Sequence, residues 1–304
     1  MSTVVNNTTT VTEVKPEKDS YEGKIHPDWC PGCGDFSVLN AMKRALFELG
    51  LNPHEVLVVS GIGCSSNLPG FINSYGMHTL HGRGLAVATG AKLGNHKLTV
   101  IATGGDGDGF GIGGNHFIHT MRRNVDLTYI VMDNQIYGLT TGQVSPTSIK
   151  GMKTKSTPHG SVENPINPIP MAIVGGATYV ARAYSGKQKH LVEILKGAIE
   201  HKGFSFVDVF SPCVTYNMDN TFKWFNPRVK ILEEEEGYDP TDLHASLDKG
   251  YMWGEEIPIG LIWKRNDLPS LEELEPVLDE GGPLAHRKLG ISKEQADNLI
   301  KEML

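Results

Sequence analysis

Three apolar runs, each breaking off into glycines and side-chain oxygens, constrain this chain more than any other feature. They are EVLVVSGIGCSS (55–66), LTVIATGGDGDG (98–109) and DLTYIVMDNQIYG (126–138). Apolar residues follow one another in them without alternating with polar ones, the pattern of strands buried on both faces. Helical segments lie between: 85–96, rich in small residues, and 113–124. Ahead of them, residues 35–49 carry Phe36, Val38, Leu39, Met42, Ala45, Leu46 and Leu49 at helical spacing. Asp35 is expected to cap that helix and Gly50 to end it. A strand over 178–183, a helix over 187–201 and a strand over 204–210 follow. This alternation predicts an α/β fold, a doubly wound and mostly parallel sheet covered on both faces. Ligands of such sheets bind beyond the carboxyl ends of the strands. Gly61-Ile62-Gly63-Cys64, Gly104 to Gly109 and Asp133 to Gly138 therefore converge on one edge.

Composition narrows the function classes. Glycine makes up 35 of 304 residues, well above the usual share of about 7%, and no collagen period accompanies it. The formal charge of −7, with no basic block, argues against nucleic acid as the main partner. No run of 18 apolar residues occurs, so no membrane span is expected. The opening MSTVVNNTTTVTEVKPEKDS (1–20) has no apolar signal core and reads as a disordered or partner-contacting tail. A cytoplasmic protein is expected on that basis. Disulfides are not expected there, and the four cysteines need another role. Residues 139–170 read as a long functional loop. Order weakens after 214, with an acidic surface stretch at 231–240 and short helices over the last 35 residues. The expected organisation is a tail (1–20), a ligand-binding domain (21–215) and an irregular extension making partner contacts (216–304).

GGDGDGFGIGG followed by MDNQIYG is the strongest chemical signal. Between Gly105-Asp106-Gly107 and Asn134 lie 26 residues (108–133), enough for one helix and one strand. Both ends then return to the same side of the sheet. Asp106 and Asn134 can offer oxygens to one ion, and with a backbone carbonyl and diphosphate oxygens they suit octahedral Mg²⁺. Glycines let backbone N–H groups approach phosphate, and the following helix N-terminus adds positive dipole. A lone Gly-Asp-Gly is usually a surface turn; the strand before it, the helix after it and the polar strand end reverse that reading. The spacing resembles the thiamine diphosphate motif, in which Asp106, Asn134 and the carbonyl of Ile136 hold the metal. Asp108 either positions the diphosphate or caps the next helix. His81, in His81-Gly82-Arg83, either sits in a surface turn or faces the cofactor.

The cysteines divide as Cys30-Pro31-Gly32-Cys33, Cys64 at the end of a strand, and Cys213 after the last strand. Two plus one plus one, with none left over, suits a tetrathiolate site. Zinc and [4Fe–4S] both accept four thiolates, and spacing alone does not separate them. Cys64 lies in the turn expected to face the diphosphate cofactor, where a redox cluster could take electrons and a structural zinc would serve no purpose.

Taken together, WCPGCG, GIGCSSN, HGRGLAVATGAKLGN, GGDGDGFGIGGNH, MDNQIYGLTTGQVSPTS and SPCVTYN resemble the beta subunits of 2-oxoacid:ferredoxin oxidoreductases over residues 21–230. The blocks around 154–182 and 189–217 are most similar to the 2-oxoglutarate and broad 2-oxoacid branch. The resemblance implies coenzyme A-dependent oxidative decarboxylation of a 2-oxoacid to acyl-CoA and CO₂, with electrons leaving singly through a [4Fe–4S] cluster to ferredoxin. It implies that Cys30, Cys33, Cys64 and Cys213 ligate the cluster. It implies that Ile62, Gly63, Cys64, Ser65, His81, Gly107, Asp108, Gly138 and Leu139 contact thiamine diphosphate, and that Asn67 and Leu139 face the substrate. The glutamate that activates the aminopyrimidine ring has no counterpart here. An alpha or fused gamma-alpha partner is expected to supply it, leaving this chain inactive alone. 2-Oxoglutarate is the favoured substrate, with pyruvate second; a pyruvate- or indolepyruvate-specific member is the alternative. Two rival classes remain open: a non-redox thiamine diphosphate decarboxylase or carboligase, and a zinc-stabilised nucleotide-binding module.

Overall fold

The computed structural model describes residues 15–280, 282–288 and 290–303. Of the expected N-terminal tail, residues 1–14 lie outside them. Eight strands form one sheet: β1 (Val56–Ser60), β2 (Tyr75–His78), β3 (Thr99–Gly105), β4 (Thr128–Asp133), β5 (Tyr179–Tyr184), β6 (Ser205–Phe210), β7 (Val229–Ile231) and β8 (Ile257–Lys264). Their order is β2-β1-β3-β4-β6-β5-β8-β7. Neighbours from β2 to β5 run parallel, whereas β8 pairs antiparallel with β5.

The long helices are α1 (Asp35–Glu48), α2 (Gly84–Gly94), α3 (Gly114–Arg123), α4 (Pro168–Val174) and α5 (Gln188–Glu200), with α6 (Phe222–Phe225) and α7 (Leu243–Tyr251) further on. Successive residues of β1 serve opposite faces. Val56 and Val58 join a core with Leu39 and Met42 of α1 and Leu191 of α5. Leu57 and Val59 join a core with Leu85 of α2, Phe117 of α3 and Ile169 of α4. A sheet filled on both sides has no polar face, which is why its strands read as unbroken apolar runs.

Two features depart from expectation. Residues 216–264 do not stay irregular, since β7 and β8 extend the same sheet. Asp35 does not cap α1: it is the helix's first residue, and Gly34 precedes it without a side-chain cap. Asp35 instead accepts from Ser211 Oγ at 2.5 Å, tying the start of α1 to the end of β6.

Candidate functional site

The site follows from sheet order. From β1 the chain turns to β2 on one side and then, through α2, to β3 on the other, a reversal that opens a crevice at the carboxyl ends. Parallel pairing sets Gly105 of β3 opposite Met132 of β4. The residues that follow, Asp106 on one strand and Asp133-Asn134 on the other, therefore emerge side by side. A cleft of about 490 Å³ opens there. Its lining includes Ile62, Gly63, Cys64, Ser65, His81, Asp106, Gly107, Asp108, Asn134, Ile136, Gly138 and Leu139, so the structure gathers in one place what the sequence scattered over 78 residues (62–139).

Asp106 is buried, and its Oδ2 accepts from the hydroxyls of Ser145 and Thr147, the latter at 2.6 Å. Burial raises its carboxyl above the usual range, opposed by those hydroxyls and by backbone N–H groups. Among the described residues, no Lys, Arg or His side chain forms an ion pair with it, the nearest such pair in the cleft being His81 with Asp108. A buried carboxylate in a glycine-lined cleft without a counter-ion is the partner a divalent cation requires. Asn134 Oδ1 accepts from Ile136 N at 3.1 Å, and its carbonyl accepts from Asn217 Nδ2 at 2.9 Å. Gln135 between them takes a left-handed φ of 57°. That conformation is uncommon outside glycine and clusters at functional sites. The donor set therefore fits the expected metal.

Asp108 does not cap the helix that follows, whose cap is Gly113; it lines the cleft instead. Its Oδ1 accepts from Ile62 N at 2.9 Å and Gly82 N at 2.7 Å, and lies 3.0 Å from His81 Nδ1. It thereby ties the turn after β1, the His81 loop and the turn after β3 into one wall of the cleft. A Cβ on Gly61 would stand 2.0 Å from its Oδ2, so only glycine fits there. Tyr137 plays a similar part: its hydroxyl donates to the Gly107 carbonyl at 3.0 Å, and its ring fills the space a Cβ on Gly107 would need. Asn67 is set apart from Leu139. It lines a separate depression with Ser66 and His78, while Leu139 stands 55% exposed at the cleft.

None of the four cysteines is joined in a disulfide. Three loops carry them, and three bonds lace the loops together. Trp29 Nε1 donates to the Cys64 carbonyl at 2.6 Å, Gly34 N donates to the Pro212 carbonyl at 3.3 Å, and Ser211 donates to Asp35. Trp29 is wedged edge-on between Phe36 and Phe71. A Cβ on Gly138 would lie 3.7 Å from Cys213 Sγ and 3.8 Å from Cys64 Sγ, so the cleft's own wall comes close to two of the sulfurs. Burial, then the Asp35 charge, pushes the Cys33 thiol well up and Cys64 up to about 11. Ligation would have to displace both protons. Among the described residues, no three His, Cys, Asp or Glu side chains converge on a single ion. One tetrahedral zinc would need sulfurs about 3.8 Å apart; a cluster of several irons spaces its thiolates wider.

Sequence reasoning missed Tyr137, Ser145, Thr147 and Asn217. It also missed a separate, half-open pocket of about 650 Å³, lined by Asp133, Thr147, Arg182, Asp208, Phe210 and Trp253 among others. Burial raises Asp133 well above the carboxylate range and Asp208 to about 7, the latter opposed by Arg182.

Fold and cleft place the chain in the class of thiamine diphosphate-binding domains. The family described as thiamine pyrophosphate enzyme, C-terminal TPP binding domain, matches residues 61–209, and the family of the C-terminal part of pyruvate ferredoxin oxidoreductase beta chains matches 213–280. The 2-oxoacid:ferredoxin oxidoreductase subunit beta of a Sulfolobus species is 48% identical over 257 residues, covering 81% of this chain and 84% of the relative. The 2-oxoglutarate synthase subunit KorB of Methanocaldococcus jannaschii is 48% identical over 188 residues, 62% of this chain and 70% of the relative. A solved structure of 2-oxoglutarate:ferredoxin oxidoreductase from Magnetococcus marinus, with 2-oxoglutarate, coenzyme A and succinyl-CoA bound, superposes with a TM-score of 0.86 at 42% identity, covering 93% of this chain and 96% of that one. The chain belongs to the beta subunits of the 2-oxoacid:ferredoxin oxidoreductases, multi-subunit enzymes that imply an alpha partner and ferredoxin as acceptor.

Proposed function

We propose that this chain serves a coenzyme A-dependent 2-oxoglutarate:ferredoxin oxidoreductase, holding thiamine diphosphate, Mg²⁺ and a [4Fe–4S] cluster. The observation that carries the reading is the shared wall: Gly138 lines the cofactor cleft and also approaches the sulfurs of Cys64 and Cys213. A thiamine enzyme without redox chemistry, or a zinc module, gives no reason for that adjacency. The relatives named for 2-oxoglutarate support the substrate; the matched family named for pyruvate favours pyruvate as a second substrate.

Asp106, Asn134 and the Ile136 carbonyl would hold Mg²⁺. Ile62, Gly63, Ser65, His81, Gly107 and Gly138 would surround the cofactor, with Asp108 fixing the loops that carry them. Cys30, Cys33, Cys64 and Cys213 would hold the cluster, and Asn67 and Leu139 would stand on the substrate side. Thiamine diphosphate, when bound, supplies the electron sink that lets a 2-oxoacid lose CO₂; the cluster supplies one-electron transfer. The chain's own contribution is to exclude water from the diphosphate end, neutralise it through the metal and keep the two groups within a short distance. Leu139, exposed at the cleft, with Leu80 and Ile112, exposed beside the His81-Gly82 turn, would give an alpha or gamma-alpha partner apolar surface to cover. That partner would bring the missing glutamate. A cytoplasmic setting accords with ferredoxin as acceptor, and among the described residues no helix is long and apolar enough to cross a membrane. The direction of turnover, oxidation or reductive carboxylation, follows ferredoxin potential.

The test is an anaerobic preparation of the assembled enzyme, assayed for iron and sulfide and for turnover of 2-oxoglutarate, pyruvate, indolepyruvate and branched-chain 2-oxoacids with coenzyme A and ferredoxin. Roughly four irons per beta chain from this site and preference for 2-oxoglutarate are expected. One zinc and no iron, or turnover of indolepyruvate equal to that of 2-oxoglutarate, would overturn the reading.

A further inference from the structure

The geometry points to Ser145 and Thr147 as positioning residues for the metal-binding carboxylate: their hydroxyls fasten one oxygen of Asp106 and leave the other for a divalent cation. The inference rests on the reading of Asp106 as a Mg²⁺ ligand.

Both hydroxyls reach the same atom, Asp106 Oδ2. A carboxylate oxygen with two hydroxyl donors has its acceptor capacity filled, so metal ligation falls to its mate. The donors sit either side of Pro146, whose ring fixes the backbone between them. Their segment is itself anchored to the other metal-ligand turn. Ser145 N donates to Ser148 Oγ at 2.8 Å, and Ser148 Oγ donates to the Gln135 carbonyl at 2.6 Å, next to Asn134. Thr147 Oγ1 also lies 2.9 Å from Asp133 Oδ1. Residues 145–148 thus span the ends of β3 and β4 and fix the distance between the two turns that carry the ligands. Asp106 and Asn134 are preorganised as a pair before any ion arrives. Partners of this kind, holding a ligand from behind, change metal affinity by about 10- to 100-fold when removed.

The experiment uses the assembled enzyme, stripped anaerobically of divalent cation and thiamine diphosphate. Mg²⁺ is titrated at fixed thiamine diphosphate while cofactor binding is followed by tryptophan fluorescence. Mn²⁺ binding is followed in parallel through the magnetic resonance signal of the free ion. The variants are Thr147→Val, Thr147→Ser, Ser145→Ala and Asp106→Asn. Half-saturating Mg²⁺ is expected to rise about 10- to 100-fold in Thr147→Val and in Ser145→Ala, and to return towards the parent value in Thr147→Ser, which keeps the hydroxyl. Cofactor binding weakened equally at every Mg²⁺ concentration would mean a merely structural role and overturn the inference. So would parent-like titration of Thr147→Val and Ser145→Ala beside an Asp106→Asn variant that no longer responds to Mg²⁺; the metal reading would then survive alone. An Asp106→Asn variant that titrates like the parent overturns the metal reading and this inference with it.

Discussion

Replacing Asp108 by alanine separates two accounts of this residue. If its carboxylate is a structural tie, the cost appears in the empty protein. The substitution strands two backbone donors, Ile62 N and Gly82 N, now bonded at 2.9 and 2.7 Å. The Gly82 bond is buried and the Ile62 bond partly so. A buried donor left without a partner costs about 1–3 kcal/mol, so the pair costs about 2–6 kcal/mol, with partial relief by water at Ile62. At about 2.1 cal/mol/K of unfolding entropy per residue, a 304-residue chain loses about 1.6 °C of melting temperature per kcal/mol, or about 3–9 °C in all. Asp108→Asn keeps an acceptor but loses the charge, and since bonds to ionised acceptors are the stronger kind it should fall between parent and alanine. The assay is thermal unfolding of the assembled enzyme without thiamine diphosphate or Mg²⁺, beside a cofactor titration. An alanine variant that melts within about 0.5 kcal/mol of the parent, the range of an ordinary surface change, yet binds cofactor poorly, would refute the structural account. Asp108 would then touch the diphosphate directly.

Three further outcomes are expected. Cys213→Ala should lose most of the iron and sulfide while keeping Mg²⁺-dependent cofactor binding, measured by metal analysis and titration, because Asp106 and Asn134 lie on other turns. Trp29→Phe removes the donor to the Cys64 carbonyl while keeping most of the ring contacts with Phe36 and Phe71; the cluster's visible absorption should bleach faster in air than in the parent. His201 is buried, accepts from or donates to Thr178 Oγ1 at 2.8 Å, and is held by burial at about 4. Its folded pKa lies below the unfolded value of about 6.5, so its stabilisation is full above that value and is lost as pH falls towards 4. That is about 2 kcal/mol by pH 5, and the drop in melting temperature between pH 7 and pH 5 should shrink in His201→Gln.

How much of this was legible in the sequence depended on whether a residue's role is local. β1, β3, β4, β5 and β6 announce themselves because both of their faces are buried. β2 does not: its four residues are exposed. β8 is interrupted by Pro258 and Gly260, the latter at a φ of 134°, and α4 opens with Pro168 and Pro170, which read as loop. Glycines and acids that break an apolar run are conspicuous, so the cleft's lining was legible almost residue by residue. Ser145 and Thr147 are ordinary loop residues until the fold brings them to a carboxylate 39 and 41 positions away. Asp35 looked like a cap because caps are local; its real partner, Ser211, is 176 residues distant.

The same distinction explains an apparent fault in the core. Asp35, Asp106, Asp108, Asp133 and Asp208 are all buried around the carboxyl ends of the central strands, where Arg182 is the buried cation acting on Asp208 and Asp133. A sheet selected for stability alone would continue with residues such as Val131 and Val207, which fill the same strands. Desolvation works against ionising Asp35, Asp106, Asp133 and Asp208, so the empty protein carries their cost. A divalent cation on Asp106, as proposed, would offset part of it, since a ligand that binds only the folded chain stabilises it by about 2.7 kcal/mol at a hundredfold excess over its Kd. On the proposed function, the polar end of the sheet is costly in the chain by itself because it would serve the chain with cofactor and metal bound. The hydroxyls of Ser145 and Thr147 on Asp106, and the backbone donors on Asp108, are the contacts that hold that end in place.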